Sequence, residues 1–342
     1  MRSFNAGANY KLERQIGQGG YGSVVAALHL PTGRRVAIKR VVISDNEILA
    51  LRAVRELKIS KFLTDNRLND HVVSLLDFVY SAKSSEVYLV QELMQQDLHA
   101  VLQLYNLDDE HHRLIISQIL RALKSIHSVG IIHRDIKPAN VLLDSSLRVK
   151  LCDFGLARGA NEDVGNLGMT EYVVTRWYRA PEIMIFRRLY SKAIDIWAVG
   201  CILAELLIGM PLFPGKTHLD QLCLILDYFD IGPTEPSLQS KPLVRFLSSR
   251  VCLMSQSRSL LLEASDSSSY EFLSRMLTFA PEQRMTAMEA LSHPYLSAYS
   301  DPGDSLNISP PGFSFNENEG LTKEDLKAIL SQEAERFDGS IH

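Results

Sequence analysis

A chain of 342 residues has room for about two domains, or for one two-lobed unit. Hydrophobic residues make up 46% and charged residues 22%, a balance that excludes a disordered chain. The net charge of −4 supplies no basic field to attract nucleic acid or an anionic membrane.

In chain order, Tyr10 to Val41 reads as strands. Ile16, Val24, Val25, Val36 and Ile38 are broken by a glycine cluster and by the turn signal Pro31-Thr32-Gly33. Apolar residues from Glu47 to Phe62 fall at helical spacing. Strands are expected over Val72–Tyr80 and Val87–Glu92. Beyond residue 95 the pattern turns helical, with Leu114–His127, a nearly all-apolar Ile194–Leu207, and the stretches 271–277 and 286–291. Ser265–Ser269 reads as a loop. Near the end, Thr322 and Asp325 cap an amphipathic helix carrying Leu326, Ile329, Leu330 and Phe337 on one face. A small β-rich part therefore precedes a larger helical one, and an extension follows. No internal repeat is present.

Cys152, Cys201, Cys223 and Cys252 form no CxxC pair and read as free thiols of a reducing compartment. Met1–Asn5 lacks the apolar run of a signal peptide. The longest apolar run, Ile196–Ala204, falls short of the ~20 residues a membrane span needs. A soluble intracellular protein is expected. Residues 299–342 carry 3 basic and 9 acidic side chains, a solvated surface or an attractor for a basic partner.

Gly17-Gln18-Gly19-Gly20-Tyr21-Gly22-Ser23-Val24 fits GxGxxGxV. Glycines let a backbone approach phosphates because no Cβ intrudes, though a tight hairpin turn would use them too. The flanking strands, with no following helix, argue against a Rossmann site. Val36-Ala37-Ile38-Lys39 is an apolar strand ending in a lysine, and Glu56 on the next helix offers that lysine a partner. Then come His133-Arg134-Asp135-Ile136-Lys137-Pro138-Ala139-Asn140, Asp153-Phe154-Gly155 and Ala180-Pro181-Glu182. With these motifs in order over nearly the whole chain, the sequence resembles the eukaryotic protein kinases.

The resemblance implies an α+β, bilobal protein kinase fold, with a small β-rich N-lobe bearing one regulatory helix and a larger, mainly helical C-lobe. It places an N-terminal extension at 1–9 and a kinase domain at 10–296, divided into lobes 10–94 and 95–296. An insert at about 228–269 and a C-terminal extension at 297–342 complete the division. ATP and Mg2+ are the implied cofactors. Lys39 would hold the α/β-phosphates and pair with Glu56, while Asp153 and Asn140 would hold magnesium. Asp135 would accept the substrate hydroxyl proton and Lys137 would balance charge on the transferring group, with Thr175 in the same catalytic set. Glu92-Leu93-Met94 would be the hinge that meets adenine through its backbone, with Gln91 at the back of the pocket. Ile16, Gly17 to Val24, Ala37 and Leu142 complete the implied nucleotide site. Glu182 and Arg284 would form a buried pair, and Asp195 would brace the catalytic loop. None of Lys39, Asp135, Lys137, Asn140 and Asp153 is substituted, which disfavours an inactive kinase fold.

Met169-Thr170-Glu171-Tyr172, followed by Val173 to Glu182, resembles the activation segment of mitogen-activated protein (MAP) kinases of the Thr-Glu-Tyr subgroup. Thr170 and Tyr172 would be the dual phosphorylation sites. Arg55, Arg134 and Arg158 would receive phosphothreonine, and Arg176 and Arg179 phosphotyrosine. The family prefers Ser-Pro and Thr-Pro substrates. Phe213-Pro214-Gly215-Lys216 and His293-Pro294-Tyr295-Leu296 also match, and the terminal helix would pack back across the small lobe. Asp301-Pro302-Gly303-Asp304 resembles the acidic docking site for basic peptides, with Asp301 and Asp304 as its acids and Ser305 where many relatives carry another. Implied partners are an upstream dual-specificity MAP kinase kinase, docking protein substrates and phosphatases, with no nucleic acid and no membrane. The implied location is cytoplasmic, with the nucleus as a further compartment. A cyclin-dependent-type kinase and a catalytically weak kinase-fold scaffold stand as alternatives.

Overall fold

In the computed structural model, residues 4, 6–19, 22–43, 46–159, 175–186, 190–231, 256–305, 312–315, 321–337 and 341 are described. Five segments at the start of the chain pair into one antiparallel sheet. They are β1 (Tyr10–Gly19), β2 (Gly22–His29), β3 (Arg35–Val42), β4 (Leu75–Ser81) and β5 (Glu86–Glu92), in the spatial order β1-β2-β3-β5-β4. Of its inner strands, β3 and β5 are buried or half-buried over most of their length, matching their apolar and β-branched runs. At the tip of the first hairpin a Cβ on Gly22 would strike the Arg40 carbonyl oxygen, so only glycine fits. Between β3 and β4 lies α1 (Glu47–Asp65), N-capped by Asn46, whose side chain accepts from the Leu49 amide. The helix outruns its expected end at Phe62, and Lys61 pairs with Asp65 along the added turn. Its face of Ala50, Ala53, Val54 and Leu57 packs on Val41, Phe78 and Leu89 of the sheet.

Strand β4 starts at Leu75, three residues later than the sequence pattern suggests. Val72 instead makes an isolated parallel bridge to Leu151 of the other lobe, a long-range pairing that local alternation does not report.

The larger lobe begins with β6 (Gln96–Asp97), α2 (Leu98–Leu104) and α3 (Asp109–Ser128). Asp97 and Asp108 cap these helices, so α3 begins five residues before Leu114. The short strands β7 (Ile131–Ile132), β8 (Val141–Leu143), β9 (Val149–Leu151) and β10 (Arg158–Gly159) form two small sheets, β6-β8-β9 and β7-β10. Then follow α4 (Pro181–Phe186), α5 (Ala193–Ile208), α6 (His218–Tyr228), α7 (Gln256–Ala264), α8 (Ser267–Met276) and α9 (Ala287–Leu291). The apolar α5 is buried nearly all round, with Trp197 at its centre. It ends at Gly209 in the left-handed region, φ 75. A Cβ on Gly200 would lie 2.8 Å from Leu277 Cδ2, which explains a glycine inside a core helix.

Two expectations need correction here. Ser267–Ser269 are helical: Asp266 accepts from the Ser269 amide and hydroxyl, and this cap draws the serines into the first turn of α8. Thr286 is the N-cap of α9 and not its first helical residue, in a capping box with Glu289. Much of the expected insert, 232–255, lies outside the described residues.

The last helix, α10 (Lys323–Ala334), opens on the Thr322–Asp325 capping box. Leu326 and Leu330 join the core between α1 and the small-lobe sheet. Phe337 lies beyond the helix end yet still meets Phe78, ring centroids 6.1 Å apart. Lys58 of α1 donates to the buried Glu333 at 2.5 Å, and Arg336 adds a bond of 2.7 Å.

In the large lobe Arg284 grips Glu182 with two parallel bonds of 2.7 Å, their side chains 0% and 3% exposed. Arg284 also donates to the Thr278 and Phe279 carbonyls and lies over the Trp197 ring. Arg284→Ala would leave a buried carboxylate without its cation, at a cost of about 3–5 kcal/mol. Urea unfolding should show that loss as a lower midpoint at unchanged slope.

Candidate active site

Lys39 stands in β3 opposite Val24 of β2 and Leu89 of β5. Its ammonium donates to Glu56 Oε1 of α1 at 2.6 Å and to Asp153 Oδ1 of the large lobe at 2.9 Å. Burial disfavours the ammonium, but Asp153 and Glu56 outweigh it and hold the group well above the usual lysine range. The two carboxyls diverge. Burial pushes Glu56 up despite Lys39, whereas at Asp153 the Lys39 charge overcomes burial and takes the carboxyl down to about 2. Asp153 is the acid that faces the cleft, its side chain 43% exposed.

Asp153 is left-handed, φ 66, a conformation that costs a non-glycine residue on the order of 1–3 kcal/mol. Its surroundings impose it. The Cys152 amide donates to the Asn140 carbonyl, the His133 ring meets the Cys152 carbonyl, and Phe154 is buried against His133. Arg55 of α1 donates to the Gly155 carbonyl at 2.8 Å.

Asp195, buried in the first turn of α5, organises the loop after β7. It accepts from the His133 and Arg134 amides, both at 2.9 Å, and bonds the His127 ring at 2.9 Å. Burial would raise its carboxyl, but His127 and the other donors hold it below the ordinary range. Arg134 is also left-handed, φ 69. The next residue, Asp135, accepts from Lys137 at 2.7 Å and from Asn140 Nδ2 at 3.0 Å. Burial pushes the Asp135 carboxyl up, and Lys137 offsets this only in part.

These groups border a cleft of about 800 Å³ between the lobes, within the size range of small-molecule sites. Ile16, Gly17, Gln18, Gly22, Val24, Ala37, Lys39, Glu56, Gln91, Glu92, Met94 and Leu142 line it, with Asp135, Lys137, Asn140, Asp153 and Thr175. Ser23 is not among the lining residues, contrary to expectation. Side chains alternate along a strand, and Gly22 and Val24 take the cleft face. Gly19 ends β1, while Gly20 and Tyr21 lie outside the described residues. Leu49, Arg52 and Ala53 also line the cleft and were not among the candidates. Arg52 is four residues before Glu56, so helical periodicity carries the signal for it.

The cleft fits a magnesium nucleotide. Gly17 and Gly22 line it without side chains, and Lys39 supplies a cation beside an ionised Asp153. Among the described residues no group of three or more His, Cys, Asp or Glu could hold a metal unaided. One carboxylate and the Asn140 amide suit a magnesium ion that takes its remaining ligands from phosphates and water.

Among the implied phosphate receivers, Arg55 and Arg158 are buried, and each donates to a carbonyl of the 155–157 stretch. Strand β10 sets Arg158 beside Ile132, two residues before Arg134. Arg134 lies 3.8 Å from the Tyr190 ring centroid. Arg134, Thr175 and Arg179 border one small recess, and the Arg179 amide donates to the Arg176 carbonyl. Thr170 and Tyr172 lie outside the described residues. Of the two docking acids, Asp301 is exposed. Asp304 is buried, and both its oxygens accept from Arg121, at 2.9 and 2.8 Å.

Comparison with known proteins agrees with this geometry. A family profile described as the protein kinase domain matches residues 10–296. "Mitogen-activated protein kinase mpkB" of Aspergillus fumigatus is 42% identical over 98% of this chain and 96% of its own length. "Mitogen-activated protein kinase 2" of Pneumocystis carinii is 43% identical over 96% of each chain. "Extracellular signal-regulated kinase 1" of Candida albicans is 39% identical over 97% of this chain and 84% of its own length.

Removing the shared cation should reverse the low pKa of Asp153. In Lys39→Met the carboxyl, left without its cation beside Glu56, should titrate well above about 2 and move to the ~3.9 of an ordinary aspartate or higher. A carboxyl-carbon NMR titration of both proteins checks this; an unmoved Asp153 would show that Lys39 is not what holds it ionised.

Proposed function

The chain belongs to the mitogen-activated protein kinases, protein serine/threonine kinases that use ATP and magnesium, and we propose that it is a proline-directed member activated at Thr170 and Tyr172. The observation that carries the reading is the meeting of Lys39, Asp135, Lys137, Asn140 and Asp153 in one cleft, with their bonds formed from both lobes.

Lys39 binds the α/β-phosphates while Glu56 keeps its ammonium aimed into the cleft. Asp153 and Asn140 would hold magnesium, which would supply positive charge to neutralise the phosphates. Asp135 orients the substrate Ser or Thr hydroxyl and takes its proton, and Lys137, already on Asp135 Oδ2, stabilises negative charge on the transferring group. Positioning and electrostatics supply most of the acceleration.

Phosphothreonine at 170 would bridge Arg55 of α1, Arg134 of the catalytic loop and Arg158, tying three elements through charge-assisted bonds. Before that event Arg134 rests on Tyr190. Phosphotyrosine at 172 would engage Arg176 and Arg179 and shape the pocket for proline after the acceptor. The upstream activator is a dual-specificity MAP kinase kinase, and phosphatases reverse it. Basic docking peptides would meet Asp301 first and reach Asp304 only by displacing Arg121. Cytoplasm and nucleus are the proposed compartments.

Two measurements test these roles. Because burial raises the Asp135 carboxyl and the base must be ionised, kcat/KM should fall with unit slope as pH drops through that raised value. The limb should sit above the ~3.9 of a free aspartate, and Asp135→Asn should cost about 10²–10⁴-fold in kcat. Separately, an activated MAP kinase kinase should raise turnover of a Ser/Thr-Pro peptide by about a hundredfold or more, given several new charge-assisted bonds. The rise should track double occupancy of Thr170 and Tyr172 by mass spectrometry. Double occupancy without turnover would point to the scaffold alternative.

A further inference from the structure

Glu92 closes β5 and opens the covalent link between the lobes. Its Oε1 accepts from the Ser74 amide and from Lys150 Nζ, both at 2.7 Å, with the ion pair 19% and 16% exposed. Lys150 is the middle residue of β9, a large-lobe strand, and its ammonium also donates to the Asn69 and Val72 carbonyls. The backbone repeats the attachment. The Leu151 amide donates to the His71 carbonyl, and the Val73 amide donates to the Leu151 carbonyl, each at 2.9 Å. Residues 69–74, which join α1 to the small-lobe sheet, are thus fastened to the large lobe. Three residues after Lys150 comes Asp153.

We propose that Lys150 is a positioning residue for nucleotide: by tying Glu92 and the 69–74 segment to β9, it sets the spacing between the hinge backbone and Asp153. A nucleotide must reach both ends of that span. One ammonium holding the hinge, the α1–β4 connection and β9 makes the span a fixed length. Without it, the hinge side of the cleft is held to β9 by the covalent link and the backbone bonds of residues 71–73, while Lys39–Asp153 and Arg55–Gly155 act on the α1 side. Part of the binding energy then goes into restoring the spacing. Lys150 touches no reacting atom in this role, which rests on the nucleotide-site reading above.

The test uses the full chain with Lys150→Met, Glu92→Gln, the double variant and Lys150→Arg. Titration calorimetry measures ADP with magnesium, and adenosine, which occupies only the hinge end. Each single variant should weaken ADP about tenfold, as loss of a charge-assisted bond predicts, and raise the KM for ATP in parallel. In Lys150→Met, adenosine affinity, peptide KM and kcat should stay within about twofold. The double variant should be no worse than either single one, and Lys150→Arg should recover most of the loss. Unchanged ADP affinity in both single variants would overturn the proposal, as would equal loss for adenosine and ADP, which indicates local damage to the hinge. A lowered KM for ATP would overturn it too, by making the pair a restraint. Glu92→Gln keeps the acceptor for Ser74, so it provides the test should Lys150→Met not fold. Failure of the unaltered protein to bind ADP would fault the nucleotide-site reading and not this one.

Discussion

One ammonium holds carboxylates that arrive from two separately folded parts of the chain. Lys39 lies in the small-lobe sheet, Glu56 on the helix behind it, and Asp153 on the first turn after β9. Two acids so close would repel, and burial alone would protonate one of them. The lysine holds the Asp153 carboxyl low, in the ionised form that a magnesium ion would require. Much of the remaining structure can be understood as what brings these three groups to one point. Helix α1 can present Glu56 only if its opposite side is supported, and α10 supplies that support through Leu326, Leu330 and the Lys58–Glu333 pair.

The large lobe meets the same requirement with buried charge. Asp195 is costly to bury, yet it satisfies the amides of two consecutive residues and the His127 ring. Those bonds hold Arg134 in a left-handed conformation and set Asp135 where Lys137 and Asn140 reach it. Asp153, the other left-handed acid of the site, is imposed by bonds on both sides of it. Among the left-handed non-glycine residues, Arg134 adjoins Asp135 and Asp153 faces the cleft. The apolar core around α5 includes Ile136 and Phe154, the residues that follow Asp135 and Asp153.

Between the lobes, covalent continuity and physical attachment differ. Residues 69–74 follow a small-lobe helix but pair with β9 of the large lobe. The same stretch of β9 carries Lys150 to the hinge. Arg55 crosses the gap from α1 to the Gly155 carbonyl. Activation through Arg55, Arg134 and Arg158 would therefore act on a cleft whose two halves already share several fastenings.

Much of the fold and site is legible in the sequence because it is local. Apolar spacing marks α1 and α3, a nearly all-apolar run marks α5, β-branched runs broken by turn signals mark the first strands, and Thr322 with Asp325 marks the start of the last helix. The motifs around Lys39, His133–Asn140 and Asp153 carry the chemistry because phosphate chemistry demands those residue types at that spacing. Where local reading fails, the cause lies elsewhere in the chain. Val72 leaves its expected strand for a partner 79 positions away, Ser23 faces out because Gly22 and Val24 take the inner side of β2, and Asp304 belongs to Arg121, 183 residues distant. By itself the sequence determined which elements form and which groups can do the chemistry, since propensity, capping and side-chain identity are properties of neighbours. Only the tertiary structure decided which charges share a partner and which lobe each segment belongs to, because burial and pairing depend on residues that meet only after the chain has folded.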